Sequence, residues 1–210
     1  MVNDSTKPSG ATSYKQTAFG IIPRSQLLQL ELEGTKKGLE FIYTLVKAHA
    51  KVDITPALIR QLHSVSFGWI FPEWAGAFRT IQVTYSGKEA PNYFQVPELI
   101  ENLCADLRTR LAYLPKTTEL GYIENVVSLL AWFQHQFVFI HPFQDYNGRT
   151  GRMLTSLLLL NLKLPATEIQ IETEADRQHY LQAMQRGDEN DLTVLEKLIG
   201  EALLENLNHP

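Results

Sequence analysis

The sequence predicts an all-α helical bundle that carries one small β-hairpin. Three observations lead there. Apolar residues recur at helical spacing in segment after segment, each bounded by Pro, Gly or a capping residue. The stretch from Thr117 to Phe137 is apolar on nearly every side, through Val126, Val127, Leu129, Leu130, Trp132 and Phe133, which is what a buried central helix requires. Strand-like alternation gathers around one turn signal, Ser86-Gly87.

Taken in order, residues 1–23 read as a flexible tail. Met1 to Tyr14 is rich in Ser, Thr and Lys and has no apolar h-region, so it is not a signal peptide. Pro23 suits a first helical turn, and Leu27, Leu28, Leu30 and Leu32 continue a short helix over residues 24–34. Gly34 is expected to end that helix. Thr35 then caps the next one, which runs to about Ala48 and opens a core domain over residues 35–207. Thr55-Pro56 opens a helix to about Val65, and Phe67 to Gly76 is an aromatic-rich loop. Residues 81–93 read as the hairpin. Pro97 opens a helix that Leu114-Pro115 breaks off, and the central helix follows. After a second apolar helix ending at Leu164-Pro165, Ile169-Gln170-Ile171 is expected to be extended. Two last helices span about 174–185 and 191–207, with Gly187-Asp188 as a turn between them.

Composition narrows the function. The chain has 210 residues, 44% hydrophobic, enough for one domain with a sizeable core. A net charge of −4 and the lack of basic clusters argue against nucleic acid as a partner. The single cysteine, Cys104, reads as a small buried hydrophobe in a chain suited to a reducing, cytoplasmic setting. No apolar run reaches membrane-spanning length, since Asn161 and Lys163 soon interrupt Leu157–Leu160, so no membrane partner is expected.

The chemistry concentrates in residues 141–152, His-Pro-Phe-Gln-Asp-Tyr-Asn-Gly-Arg-Thr-Gly-Arg, which lie between two apolar helices. Asn147 is a good N-cap for the second helix. The amides of Gly148, Arg149 and Thr150 would then form an anion site at its start. Arg149 and Arg152 are three residues apart and share a helix face, so they could clamp further phosphate oxygens. His141 is a candidate base near neutral pH, and Asp145 a candidate ligand for Mg²⁺.

This stretch resembles the signature of the Fic family, with His141, Pro142, Phe143, Asp145, Asn147, Gly148, Arg149 and Arg152 in register. Tyr146 departs from it, standing where the family usually has Gly. Gln134 departs too, where members often carry His. The resemblance implies a Fic-like bundle whose hairpin is a flap, and Mg²⁺-dependent transfer of AMP from ATP to a Ser, Thr or Tyr hydroxyl of a protein. It implies His141 as base and Asp145 as metal ligand. Asn147, Gly148, Arg149, Thr150, Gly151 and Arg152 would hold the nucleotide, with Tyr180 beside the adenine. Val83, Thr84, Tyr85, Ser86 and Gly87 would form the flap that pins the target as an added strand. Ala75-Gly76-Ala77-Phe78-Arg79 resembles a further family segment.

Glu33-Gly34 resembles the end of the family's inhibitory motif, although Gln29 departs from its Ser/Thr position. The resemblance implies a restraint in which Glu33 pairs with Arg152. Alternatives stay open: removal of AMP, transfer of another phosphate-containing group, a nucleotide-binding regulator without turnover, or a metal hydrolase built on His135, His141 and Asp145. The sequence leaves the target and any homo-oligomer unspecified.

Overall fold

The computed structural model describes residues 14–167, 169 and 173–208. Among them are seven α-helices: α1 (Arg24–Ala48), α2 (Pro56–Phe67), α3 (Val96–Ala112), α4 (Tyr122–Ile140), α5 (Asn147–Asn161), α6 (Glu174–Asp188) and α7 (Thr193–Asn208). Two antiparallel hairpins accompany them. Strand β1 (Tyr14–Thr17) pairs with β2 (Gly20–Pro23), and β3 (Thr84–Tyr85) pairs with β4 (Lys88–Glu89). The helical class is as expected, and β3–β4 falls within the anticipated 81–93 segment.

Helix α4 is the centre of the bundle, packed against α3, α5 and α7. Val126, Leu130, Ala131, Phe133 and Phe137 are fully buried, while a narrow stripe through Asn125, Ser128 and Phe139 stays exposed, so most but not all of its circumference is core. Helix α1 packs on α2 and α5 and so closes the other flank of the motif helix. Gln134 is the polar exception inside α4. Its amide donates to the Tyr180 hydroxyl (3.1 Å) and accepts from Thr155 (3.0 Å), tying α4 to α5 and α6. Such a buried amide is tolerated because both ends are paired. Local signals act at the helix starts: Thr55 caps α2 by accepting from the Leu58 amide at 3.1 Å, with Pro56 beside it.

Several boundaries differ from expectation. Helix α1 runs unbroken through Gly34, so residues 24–34 are its first part and not a separate helix. Gly34 is there for closeness: an added Cβ would lie 2.4 Å from the Ser66 carbonyl oxygen of α2. Thr35 donates back to the Glu31 carbonyl (2.9 Å), a helix-interior bond that caps nothing. Residues 14–23 of the anticipated tail form the β1–β2 hairpin, and residues 1–13 lie outside the described residues. Gly187 and Asp188 belong to the end of α6. Ile169 is irregular, while Gln170 and Ile171 lie outside the described residues. Among the described residues no helix is long and apolar enough to cross a membrane. Cys104 is buried, as expected.

Gly34→Ala tests the close approach of α1 and α2. On propensity alone alanine would favour the helix by about 1 kcal/mol. The clash with backbone should win and destabilise the fold by roughly 1–3 kcal/mol, read as a lower urea midpoint. A midpoint at or above wild type would refute the contact.

Candidate active site

The motif loop joins α4 to α5 between two left-handed residues. His141 closes α4 at φ 51°, and Tyr146 stands just before α5 at φ 61°. A side chain in that region costs roughly 1–2 kcal/mol, so the family's usual glycine at position 146 has a backbone reason. The loop is held by side chains that bond its backbone. Asn147, the first residue of α5 and not its cap, accepts from the Phe143 amide (2.8 Å) and donates to the Phe143 carbonyl (2.9 Å). Arg79, 4% exposed, donates through Nε to the His141 carbonyl (2.8 Å) and through its terminal nitrogens to the carbonyls of Ile81 and Pro91. One guanidinium therefore ties the motif loop to both roots of the β3–β4 flap. His63 stacks on Phe143 at 3.8 Å; its Nδ1 accepts from the Gly76 amide, and its Nε2 then donates to the Asp145 carbonyl (3.1 Å). Sequence reasoning missed His63, a lone polar residue on the apolar face of α2.

His141 is set up as a neutral base. Its Nδ1 bonds the Val138 carbonyl at 3.0 Å, which can only accept, so Nδ1 carries the proton and Nε2 the lone pair. Burial pushes its pKa down to about 4, with the Arg79 charge acting the same way. The Tyr85 ring of the flap stacks on the imidazole at 4.3 Å. Ser86 and Gly87 both take positive φ, the two-residue turn that lets β3 and β4 pair.

A cavity of about 170 Å³ lies under the flap. His141 and Gly148 form one wall, Tyr85 and Ser86 another, and Tyr180 and Asp188 of α6 a third. Lys88 of the flap pairs with Asp188, whose other oxygen faces His135 Nε2 at 3.1 Å. Tyr180 lies beside the motif, with its hydroxyl taken by Gln134 and Arg152 over its ring at 5.9 Å. The amides of Gly148 and Arg149 lie in the first turn of α5, ahead of the bond from the Thr150 amide to the Tyr146 carbonyl. Thr150 is consumed by that bond, and its hydroxyl returns to the same carbonyl. Gly151 faces α4, where a Cβ would meet Phe137 at 3.2 Å. Of the expected phosphate cradle, Thr150 and Gly151 are therefore helix and packing residues.

The expected pairing of Glu33 with Arg152 is not made. Glu33 is exposed, and the acid that reaches the motif is Glu31, 1% exposed. It accepts from the Tyr146 hydroxyl (2.8 Å) and from Arg149 (2.9 Å). The reason is helical phase: with α1 continuous, residues two apart point about 200° away from each other. Arg149 thus faces a carboxylate within the protein, which leaves Arg152 as the motif arginine beside the cavity wall at Tyr180. Tyr146 fills its site by stacking on Phe67 at 4.3 Å, and burial together with Glu31 raises its pKa.

Asp145 is partly exposed; it accepts from the Tyr146 amide (2.8 Å) and pairs with Lys15 of β1. Among the described residues no three His, Cys, Asp or Glu side chains are placed to hold a metal. A single accessible carboxylate suits Mg²⁺, which takes one or two protein ligands and completes its shell with phosphate and water. It does not suit the hydrolase reading, whose His135 faces Asp188.

A helical core whose motif loop places a neutral histidine and a helix N-terminus under a hairpin flap defines the class of protein. The family model "Fic/DOC family" matches residues 53–159, and the chain belongs to that family. "Protein adenylyltransferase Fic" of Nematostella vectensis is 28% identical over 174 residues, covering 82% of this chain and 38% of the relative. "Protein adenylyltransferase fic-1" of Caenorhabditis briggsae is 30% identical over 160 residues, covering 75% and 29%. The chain thus spans about a third of the length of these curated relatives. Fic-1 (residues 134–508) from C. elegans superposes with a TM-score of 0.67 at 23% identity, over 83% of this chain and 48% of that one. BepC from Bartonella tribocorum, solved with bound AMPPNP, superposes with a TM-score of 0.68 at 17% identity, over 92% and 94%. These likenesses show the fold.

Two outcomes follow from this geometry. Glu31→Ala should destabilise the fold by roughly 2–4 kcal/mol, because it strands Arg149 and the Tyr146 hydroxyl, whereas Glu33→Gly should cost no more than about 1 kcal/mol, a helix-propensity effect. Equal losses in chemical denaturation would refute the assignment. His63 and His141 are both pushed from 6.5 to about 4, chiefly by burial. The unfolded chain takes up their protons first, so this stability is complete above pH 6.5 and is lost as pH falls towards 4. The urea midpoint should fall across that window, and less steeply in His141→Ala.

Proposed function

We propose that this chain transfers AMP from ATP to a hydroxyl side chain of a protein, with Mg²⁺ as cofactor. The observation that carries the reading is His141: a neutral imidazole with a fixed tautomer, on the same cavity as the first-turn glycine Gly148 and beneath an open-edged hairpin. The curated relatives named as protein adenylyltransferases support it, as does the fold shared with a protein that binds AMPPNP. The nucleobase would lie in the cavity beside Tyr180, and the phosphates would run past the Gly148 and Arg149 amides towards Arg152.

The target hydroxyl attacks the α-phosphorus in line, Nε2 of His141 takes its proton, and pyrophosphate leaves. Asp145 would hold Mg²⁺ together with phosphate oxygens, and the ion would supply neutralisation of charge on the phosphates. The chain's own task is positioning. Arg79 keeps the flap roots and the His141 carbonyl in one frame, so the target strand and the base stay in register. Thr84 and Tyr85 offer that strand its edge.

Incubation with ATP labelled on the α-phosphate and a protein lysate tests the reading. Wild type should label proteins with an added mass of AMP. His141→Ala should bind ATP almost as well but label roughly 10²–10⁴ times more slowly. A product carrying another group, or equal labelling by the variant, would overturn the proposal.

A further inference from the structure

The β1–β2 hairpin places a cation on the one carboxylate of the motif loop. Lys15 Nζ pairs with Asp145 Oδ2, and the same ammonium lies 5.6 Å from the centre of the Tyr146 ring. The hairpin is fixed on both sides. The Ala18 amide donates to the Ile70 carbonyl (2.8 Å), Phe19 meets Trp69 edge-on, and β2 runs directly into α1 at Pro23. Lys15 therefore reaches Asp145 from an anchored strand, across the rim of a cavity of about 510 Å³ that Phe71 and Trp74 also line. Both side chains keep partial access to solvent, 37% and 42%.

We propose that Lys15 is a built-in counter-ion of Asp145 that competes with the divalent cation, so that the N-terminal hairpin sets how readily metal enters the site. This rests on the reading of Asp145 as metal ligand given above. An ammonium and a hard cation seek the same oxygen, and one carboxylate oxygen cannot serve both at full strength. The pair is half-exposed, so it is weak enough to be displaced and strong enough to be felt. The cavity beside it gives the released side chain room to swing aside while the strand stays in place.

Binding of Mn²⁺ alone, read from the loss of the free-ion electron paramagnetic resonance signal, tests this without turnover. Lys15→Ala should bind Mn²⁺ about two- to fivefold more tightly than wild type, the worth of an exposed pair. Lys15→Glu should bind more tightly still, Lys15→Arg should resemble wild type, and Asp145→Asn should remove the differences among them. Thermal melts show whether each variant is folded; because Arg retains the charge at the same position, a loss confined to unfolding would appear in the order of the series. Unchanged or weaker binding in Lys15→Ala, no measurable binding in any variant, or a series indifferent to Asp145→Asn would overturn the proposal. Failure here alongside labelling by wild type removes the counter-ion and leaves AMP transfer standing. Success here without labelling does the reverse.

Discussion

The site depends on one buried guanidinium. Arg79 has no acceptor of its own to satisfy and several donors to place, and it places them on backbone carbonyls from two separate segments. Without it, the His141 carbonyl and the flap roots would need other donors at a site that is only partly open to water. An unsatisfied buried carbonyl costs about 1–3 kcal/mol, and several share this one donor group. The motif loop is strained at both ends, at His141 and Tyr146. Strain of that kind persists only where the surroundings over-determine the backbone. Arg79, Asn147 and His63 supply that over-determination, each by bonding main chain.

Tyr146 shows how a departure from the family pattern is absorbed. A glycine would adopt its left-handed backbone without strain, but it could neither stack on Phe67 nor reach Glu31. The phenol and Arg149 together take both oxygens of a carboxylate buried on α1. The interaction is worth keeping only as a set, since a buried charge that loses its partners is far more costly than one never buried. Helix α1 is thereby locked to the start of α5, and a motif arginine becomes part of the frame.

Much of this was legible in the sequence. The helical class, the buried central helix, the Thr55-Pro56 start of α2, the hairpin at Ser86-Gly87 and the motif loop all follow from local chemistry that tertiary structure did not overrule. The misses turn on tertiary contacts. Gly34 looks like a helix end because glycine usually is one, and only the nearness of the Ser66 carbonyl explains it inside α1. The Glu33 expectation came with the family resemblance, whereas on the continuous α1 it is Glu31 that turns inward and Glu33 outward. Lys15 and His63 carry no local signal at all. Each matters through a partner more than 80 positions away, Asp145 in both cases.

The electrostatics of the site follow from those long-range partners. Among the basic residues near the motif loop, Arg79 is spent on backbone carbonyls, whereas Lys15 is matched by Asp145 and Arg149 by Glu31. The two pairs differ in kind. Glu31 is sealed in, so exchanging it for a phosphate would strand a buried charge, and Arg149 is a poor candidate for release. The Lys15 pair is open to solvent on both sides, where ionic contacts exchange readily. An incoming polyanion with its cation would therefore meet one fixed frame and one exchangeable pair. On the proposed reading, rearrangement on binding would begin at the β1–β2 hairpin, and Arg152, which lies over Tyr180 and holds no carboxylate among the described residues, would be a motif cation free to meet phosphate.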